Sequence, residues 1–225
     1  MRNLYHSDIY KFDTPVSSYW EDTTSENLDL EKLTKDINSE IVVIGGGYTG
    51  LLCAINLIEN HNLDVILVEA GKIGWGASSR NAGFNCLPPS KMSFKQMQSI
   101  YGVEETKKFF KNSVEGSNHT KDIIKEYNID CDVSGDSSYV VAHHKNKFEQ
   151  IKEQAEVYKS EFGIETKIYS KEEFDEIGHG GTEQYGAFSY KPAFAINPLK
   201  FVNGIVKHAL SKKLKIFEHT KVDKI

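Results

Sequence analysis

The chain has 225 residues, 39% of them hydrophobic and 26% charged, with a formal net charge of -5. That balance describes a mildly acidic globular protein and argues against a nucleic-acid partner. No apolar run reaches the length of a membrane span, residues 1–20 hold no apolar signal core, and Cys53, Cys86 and Cys131 form no close pair, which points to reduced thiols in the cytoplasm.

Residues 1–38 read as a polar N-terminal arm without periodicity. Its aromatic knot, Ser17-Ser18-Tyr19-Trp20, is expected to pack on the surface of the domain that follows. Ile41-Val42-Val43-Ile44 is a β-branched run without polar alternation and predicts a buried parallel strand. It leads directly into Gly45-Gly46-Gly47-Tyr48-Thr49-Gly50. This Gly-x-Gly-x-x-Gly pattern between a strand and a helix is how proteins hold the pyrophosphate of a dinucleotide. Gly45 is assigned the tight turn, Gly47 the close approach to phosphate, and Gly50 the close packing of the next helix. That helix, predicted from Tyr48 to about Asn60, places Leu51, Leu52, Ala54, Ile55 and Ile58 on one stripe. Its N-terminus offers amides and a positive dipole end to an anion. Cys53 is read as a small core residue of the same helix.

A second strand, Val65 to Val68, ends in Glu69, about 20 residues past the glycines. A carboxylate there accepts hydrogen bonds from ribose hydroxyls and disfavours a 2′-phosphate, hence NADP. The following run, Ala70-Gly71-Lys72-Ile73-Gly74-Trp75-Gly76-Ala77-Ser78-Ser79-Arg80-Asn81-Ala82-Gly83-Phe84, is dense in small residues. Ser78, Ser79, Arg80 and Asn81 can donate to phosphate and polyol oxygens. A longer, deeper cofactor than NAD fits such a loop, namely FAD; an NAD-dependent dehydrogenase is the disfavoured alternative. Trp75 is read as packing or lid.

Residues 91–195 read as a second domain, α+β in pattern. A long helix is predicted from about Glu104 to Tyr127, strands at Ile129–Val133 and Ser138–His143, a helix at Lys147–Glu161 and a strand at Tyr185–Tyr190. Cys131 is read as a buried thiol, with flavin linkage or catalysis the lesser alternative. His143-His144 lacks an acid or cysteine at ligand spacing, so no metal site is expected. Gly178-His179-Gly180-Gly181 is read as a loop. Residues 196–225 return to the first domain, with a helix opened by Pro198 (Leu199 to Leu210) and strands Leu214–Phe217 and Lys221–Ile225.

The glycine turn, the Glu69–Gly83 run, Tyr101-Gly102, Glu115-Gly116, Ile129-Asp130-Cys131-Asp132 and Asn197-Pro198-Leu199 together resemble the D-amino-acid oxidase superfamily of FAD-dependent oxidoreductases. The likeness runs from about Ser18 to the last residue and is greatest to the gamma-glutamylputrescine oxidoreductase type, with glycine and sarcosine oxidases as near relatives. It implies an α/β fold, α+β overall. A Rossmann-like FAD domain (39–90 and 196–225) would carry an inserted substrate domain (91–195), and the C-terminal half would be missing from this chain.

The resemblance also implies site residues. Gly45, Gly47 and Gly50 would surround the FAD pyrophosphate, with Tyr48 and Thr49 supplying amides. Glu69, with Ala70 beside it, would hold the adenosine ribose. Ser78, Arg80 and Asn81 would contact phosphates and the ribityl chain; Ala82, Gly83 and Phe84 would run beside the flavin ring; Val222 would meet the adenine. Ser79 departs from the glycine common in the family but stays small. The implied reaction is oxidation of a C–N bond in a small primary or secondary amine or amino acid. Hydride passes to flavin, and the imine is hydrolysed afterwards. No catalytic base is assigned, with Tyr185, Tyr190 and His179 as candidates. Oxygen, a quinone or an electron-transfer flavoprotein could accept the electrons. The alternatives are a truncated module that binds FAD without turnover, and a glycine- or sarcosine-type oxidase.

Overall fold

The computed structural model describes residues 6–14, 17–87, 92–178 and 180–224. In chain order the elements are β1 (Ile41–Ile44), α1 (Tyr48–His61), β2 (Val65–Val68), β3 (Phe84–Asn85), α2 (Phe94–Tyr101) and α3 (Val103–Glu126). Then follow β4 (Ser138–Val141), α4 (Phe148–Phe162), β5 (Thr166–Tyr169), α5 (Lys171–Ile177), β6 (Ala187–Tyr190), β7 (Phe194–Ala195), α6 (Pro198–Ser211) and β8 (Lys215–Phe217). The described residues divide into two compact units. The first comprises those within 1–83, 123–132 and 196–225; the second, those within 84–122 and 133–195.

In the first unit β1, β2 and β8 form a parallel sheet in that order. β2 is buried along its whole length, with Leu67 fully enclosed. Leu51, Ala54 and Ile55 of α1 and Val202, Ile205 and Val206 of α6 complete the core. α1 ends at Asn62, whose left-handed backbone (φ 52°) returns its N–H to the Ile58 carbonyl. α6 starts at Asn197, whose side chain accepts from the Lys200 N–H, with Pro198 at the first helical position. Of the arm, Trp20 donates its indole N–H to the Asn81 carbonyl (2.9 Å), and Lys32 bridges in parallel to Glu218.

In the second unit β4, β6 and β5 form an antiparallel sheet with β6 central and fully buried. α4 packs on it, and Phe110 stacks on Phe162 at 4.1 Å within the core. Capping boxes at Ser93/Gln96 and Ser170/Glu173 start α2 and α5.

Several sequence readings need correction. β1 is an outer strand, and Val42 and Ile44 on one of its faces are 51% and 53% exposed, so the apolar run does not mark a strand buried on both sides. Cys53 is exposed: it lies two residues from both Leu51 and Ile55, about 200° around the helix from each. Residues 129–133 form no strand. Asn128 and Asp132 take left-handed backbone (φ 51° and 54°), and the buried Ile129 fits against Gly204 of α6. That packing places 123–132 with the first unit, inside the range that the sequence pattern reads as second domain. Residues 221–224 carry no strand either, and Ile225 lies outside the described residues, as does His179.

Candidate nucleotide site

β1 delivers its carboxyl end into the glycine turn. Gly45 has φ +105°, which an L side chain rarely adopts, and its N–H donates to the Val68 carbonyl at 2.9 Å. A Cβ at Gly50 would stand 2.0 Å from the Gly45 carbonyl oxygen, so the first turn of α1 is pressed against the turn that precedes it. Gly47 is the extended N-cap residue of α1, and a Cβ there would meet Ser78 Oγ at 2.9 Å. The Ser78 hydroxyl accepts from the Tyr48 N–H at 3.2 Å. The Tyr48 ring packs 5.4 Å from Phe201, and burial pushes its phenol above the usual tyrosine range.

Glu69 follows β2. One carboxylate oxygen accepts from the Gly46 N–H (2.7 Å), the other from the Gly71 N–H (2.9 Å). The structure thus brings Gly45, Gly47, Tyr48, Gly50, Glu69 and Ser78 to the carboxyl ends of two adjacent parallel strands. This is where open α/β sheets bind ligands. Thr49 lies in the first turn of α1, and Ala70 follows Glu69.

The rest of the loop is organised around its own backbone. The Asn81 amide donates to Ala77 and Ser78 carbonyls, and its oxygen accepts from the Gly83 N–H at 2.8 Å. Ser79 is buried and donates to the Gly74 and Gly76 carbonyls, so its hydroxyl serves the loop and not a phosphate. Gly83 (φ +76°) presses on the Ile196 carbonyl, where a Cβ would come within 2.2 Å. The Arg80 guanidinium lies 5.1 Å over the Trp75 ring, and its Nε is buried without a hydrogen-bond partner. Arg80 lines a hollow of about 480 Å³ with Lys72, Trp75, Leu199 and Asn203; none of the three motif glycines lines it. Ala82 and Phe84 are exposed, and Val222 is half-buried in irregular chain.

One residue that sequence reasoning missed is Glu218. It stands one step beyond β8 as Glu69 stands one step beyond β2, and Val68 pairs with Phe217. Only 4% exposed, it accepts the Ile73 N–H at 2.6 Å. Burial pushes its carboxyl above the ordinary range, against the pull of that amide. The signal was available: two acids at equivalent ends of neighbouring parallel strands.

Elsewhere, Cys131 is 1% exposed and burial pushes its thiol up to about 11, which removes it as a nucleophile at neutral pH. Burial likewise pushes Tyr190 up to about 12, so it is a donor and not a base. Tyr190 lines a second hollow of about 650 Å³ within the second unit, with Cys86, Phe110 and Tyr158. Tyr185 is half-buried in that unit and donates its N–H to the Ala142 carbonyl. Among the described residues, no group of three His, Cys, Asp or Glu could hold a metal ion, and no helix is long and apolar enough to cross a membrane.

Comparison with known proteins agrees with this geometry. The profile of the DAO family, FAD dependent oxidoreductase, matches residues 40–225. The gamma-glutamylputrescine oxidoreductase of Escherichia coli is 32% identical over 145 residues, 64% of this chain and 34% of that protein. The probable oxidoreductase OrdL of Haemophilus influenzae is 24% identical over 95% of this chain and 49% of its own length. Among solved structures, an L-amino acid deaminase from Proteus myxofaciens in complex with anthranilate superposes with a TM-score of 0.64 at 17% identity, over 85% of this chain and 40% of that one. A glycine oxidase from Bacillus cereus gives 0.61 at 17%, over 84% and 48%. The chain spans about a third to a half of the length of these curated relatives.

Proposed function

This chain belongs to the DAO family of FAD-dependent oxidoreductases, and from that premise we propose that it is the FAD-holding portion of an enzyme oxidising the C–N bond of a small amine or amino acid. The observation that carries the reading is the paired construction at the strand ends. Glu69 is already fixed by two backbone amides, beside a glycine turn whose first helical amide, that of Tyr48, meets the Ser78 hydroxyl.

The residues present fit a dinucleotide. Gly45 and Gly47 keep the mouth free of Cβ atoms, Gly50 lets α1 press against the turn, the first-turn amides of Tyr48 and Thr49 favour an anion, and Glu69 with Ala70 faces a ribose. Ser78 extends the phosphate cradle. The buried Arg80 Nε, lacking a partner, supports an anionic group nearby. Asn81, by holding Ala77, Ser78 and Gly83, keeps that cradle in shape. Ala82, Gly83 and Phe84 are assigned to the flavin ring and Val222 to the adenine by family likeness.

When bound, flavin supplies the hydride acceptor. The chain's own residues bind, orient and exclude water; no residue of it is assigned as base. Relatives act on amino acids and amines by name, which supports that substrate class here, and a glycine-oxidase-like preference is the second reading. Free thiols support a cytoplasmic enzyme. The family match over residues 40–225 supports cofactor binding more directly than turnover, so a module that holds FAD without turning over a substrate is the further reading.

The deciding experiment is to soak the purified chain in excess FAD, remove free flavin and record the visible spectrum, then add amines and amino acids anaerobically. Retained flavin that bleaches supports the enzyme. Retained flavin that no substrate bleaches moves the reading to the binding module. A colourless protein overturns both.

A further inference from the structure

Four hydrogen bonds join the end of β8 and the chain just beyond it to the segment beyond β2. Glu69 N–H donates to Phe217 O (2.9 Å), His219 N–H to Gly71 O (2.9 Å), Thr220 N–H to Glu69 O (2.8 Å), and Ile73 N–H to a Glu218 carboxylate oxygen (2.6 Å). The first three are backbone pairs that any sequence could make. The fourth depends on one side chain. Its consequence reaches the glycine turn, because the Ile73 side chain packs directly beneath Gly46: a Cβ on Gly46 would stand 2.1 Å from Ile73 Cδ1. Gly46 in turn donates its N–H to Glu69. Glu218, Ile73, Gly46 and Glu69 therefore form one continuous chain of contacts, ending on the carboxylate and turn assigned to the nucleotide.

Resting on the FAD reading above, we propose that Glu218 is a positioning residue for cofactor binding, one that touches no cofactor atom and sets the glycine turn through Ile73. A buried carboxylate is a costly way to accept a single amide unless the position of that amide matters. Glu218 is anchored at its other side as well: its N–H donates to the Glu31 carbonyl, and its carbonyl accepts from the Thr220 hydroxyl (2.8 Å). The side chain is thus a fixed arm and not a surface group that happens to reach Ile73. Lys72, His219 and Glu69 are the charged groups that act on it.

The test uses the 225-residue chain and FAD as the probe, with affinity read from quenching of flavin fluorescence and apo-protein folding from the thermal midpoint. Glu218→Ala leaves the Ile73 N–H buried without an acceptor and is expected to weaken FAD at least about tenfold. Glu218→Gln keeps an acceptor of the same length and is expected to bind within about threefold of the unsubstituted chain. Rescue by Gln is what a purely charge-based role would not give. Should Glu218→Ala fail to fold, Ile73→Ala keeps the carboxylate–amide link but removes the contact beneath Gly46, and is expected to weaken FAD with the apo-protein still folded. Equal affinity for Glu218→Ala despite a lower midpoint, equal loss in Ala and Gln, or an unaffected Ile73→Ala would each overturn the role. An unsubstituted chain that binds no FAD defeats the underlying reading instead.

Discussion

The α-carbon of Gly50 faces the carbonyl oxygen of Gly45 so closely that one added methyl carbon would sit 2.0 Å from it. The atom in the way is backbone, and it belongs to a residue whose φ of +105° leaves little room to adjust. Gly50→Ala is expected to push α1 away from β1, to cost about 1–3 kcal/mol and to weaken FAD by tenfold or more. Gly116→Ala is the control: α3 offers open space there, and the change is expected to stabilise by about 0.5–1 kcal/mol without touching FAD affinity. Urea unfolding and FAD titration of both variants check this.

Stability should carry the signature of Glu218. Its folded carboxyl titrates above the unfolded one because it is buried. That contribution is fully present below the ordinary carboxylate range and is lost as pH rises through the folded value. Between that range and neutrality, the unsubstituted chain is expected to lose stability relative to Glu218→Gln, which does not titrate. Denaturant midpoints of the two at several pH values measure the difference, and parallel curves would contradict it.

The three thiols should separate cleanly. Cys53 is exposed, Cys86 half-buried and Cys131 enclosed with its thiol raised to about 11. Alkylation of the native chain near pH 8, followed by peptide mass mapping, is expected to label Cys53 first and to spare Cys131 until denaturant is added. Loss of Cys53 by substitution with Ser is expected to change stability by no more than about 0.5 kcal/mol.

Val42 and Ile44 put two β-branched side chains on the open face of an outer strand. Val42→Lys with Ile44→Lys is expected to reduce self-association of the chain, measured by light scattering over a concentration series, with a stability change within about 1 kcal/mol. Unchanged association would mean that another surface governs it.

Much of this architecture can be read from residues. The glycine turn, Glu69 and Pro198 each announce a local geometry that only a few conformations satisfy. β2 is legible because a continuous apolar run there is buried, whereas the same signal in β1 misleads: sequence cannot show that one face of the strand, that of Val42 and Ile44, carries no covering layer. Ile129 to Val133 alternates like a strand because Ile129 and Cys131 are both buried, yet left-handed Asn128 and Asp132 break the run and α6 does the covering. Ser79 looks like a phosphate donor by composition, and only the fold reveals that it points at Gly74 and Gly76. Glu218 escapes notice because its partner, Ile73, lies 145 positions away and presents nothing but an amide.

That separation has a bearing on how the protein is made. A ribosome releases the glycine turn, α1 and the whole 84–195 span before the residue that latches Ile73 emerges. The glycine motif is therefore translated well before the residue that holds the Ile73 amide, and tight capture of the dinucleotide has to wait for the stretch near residue 218.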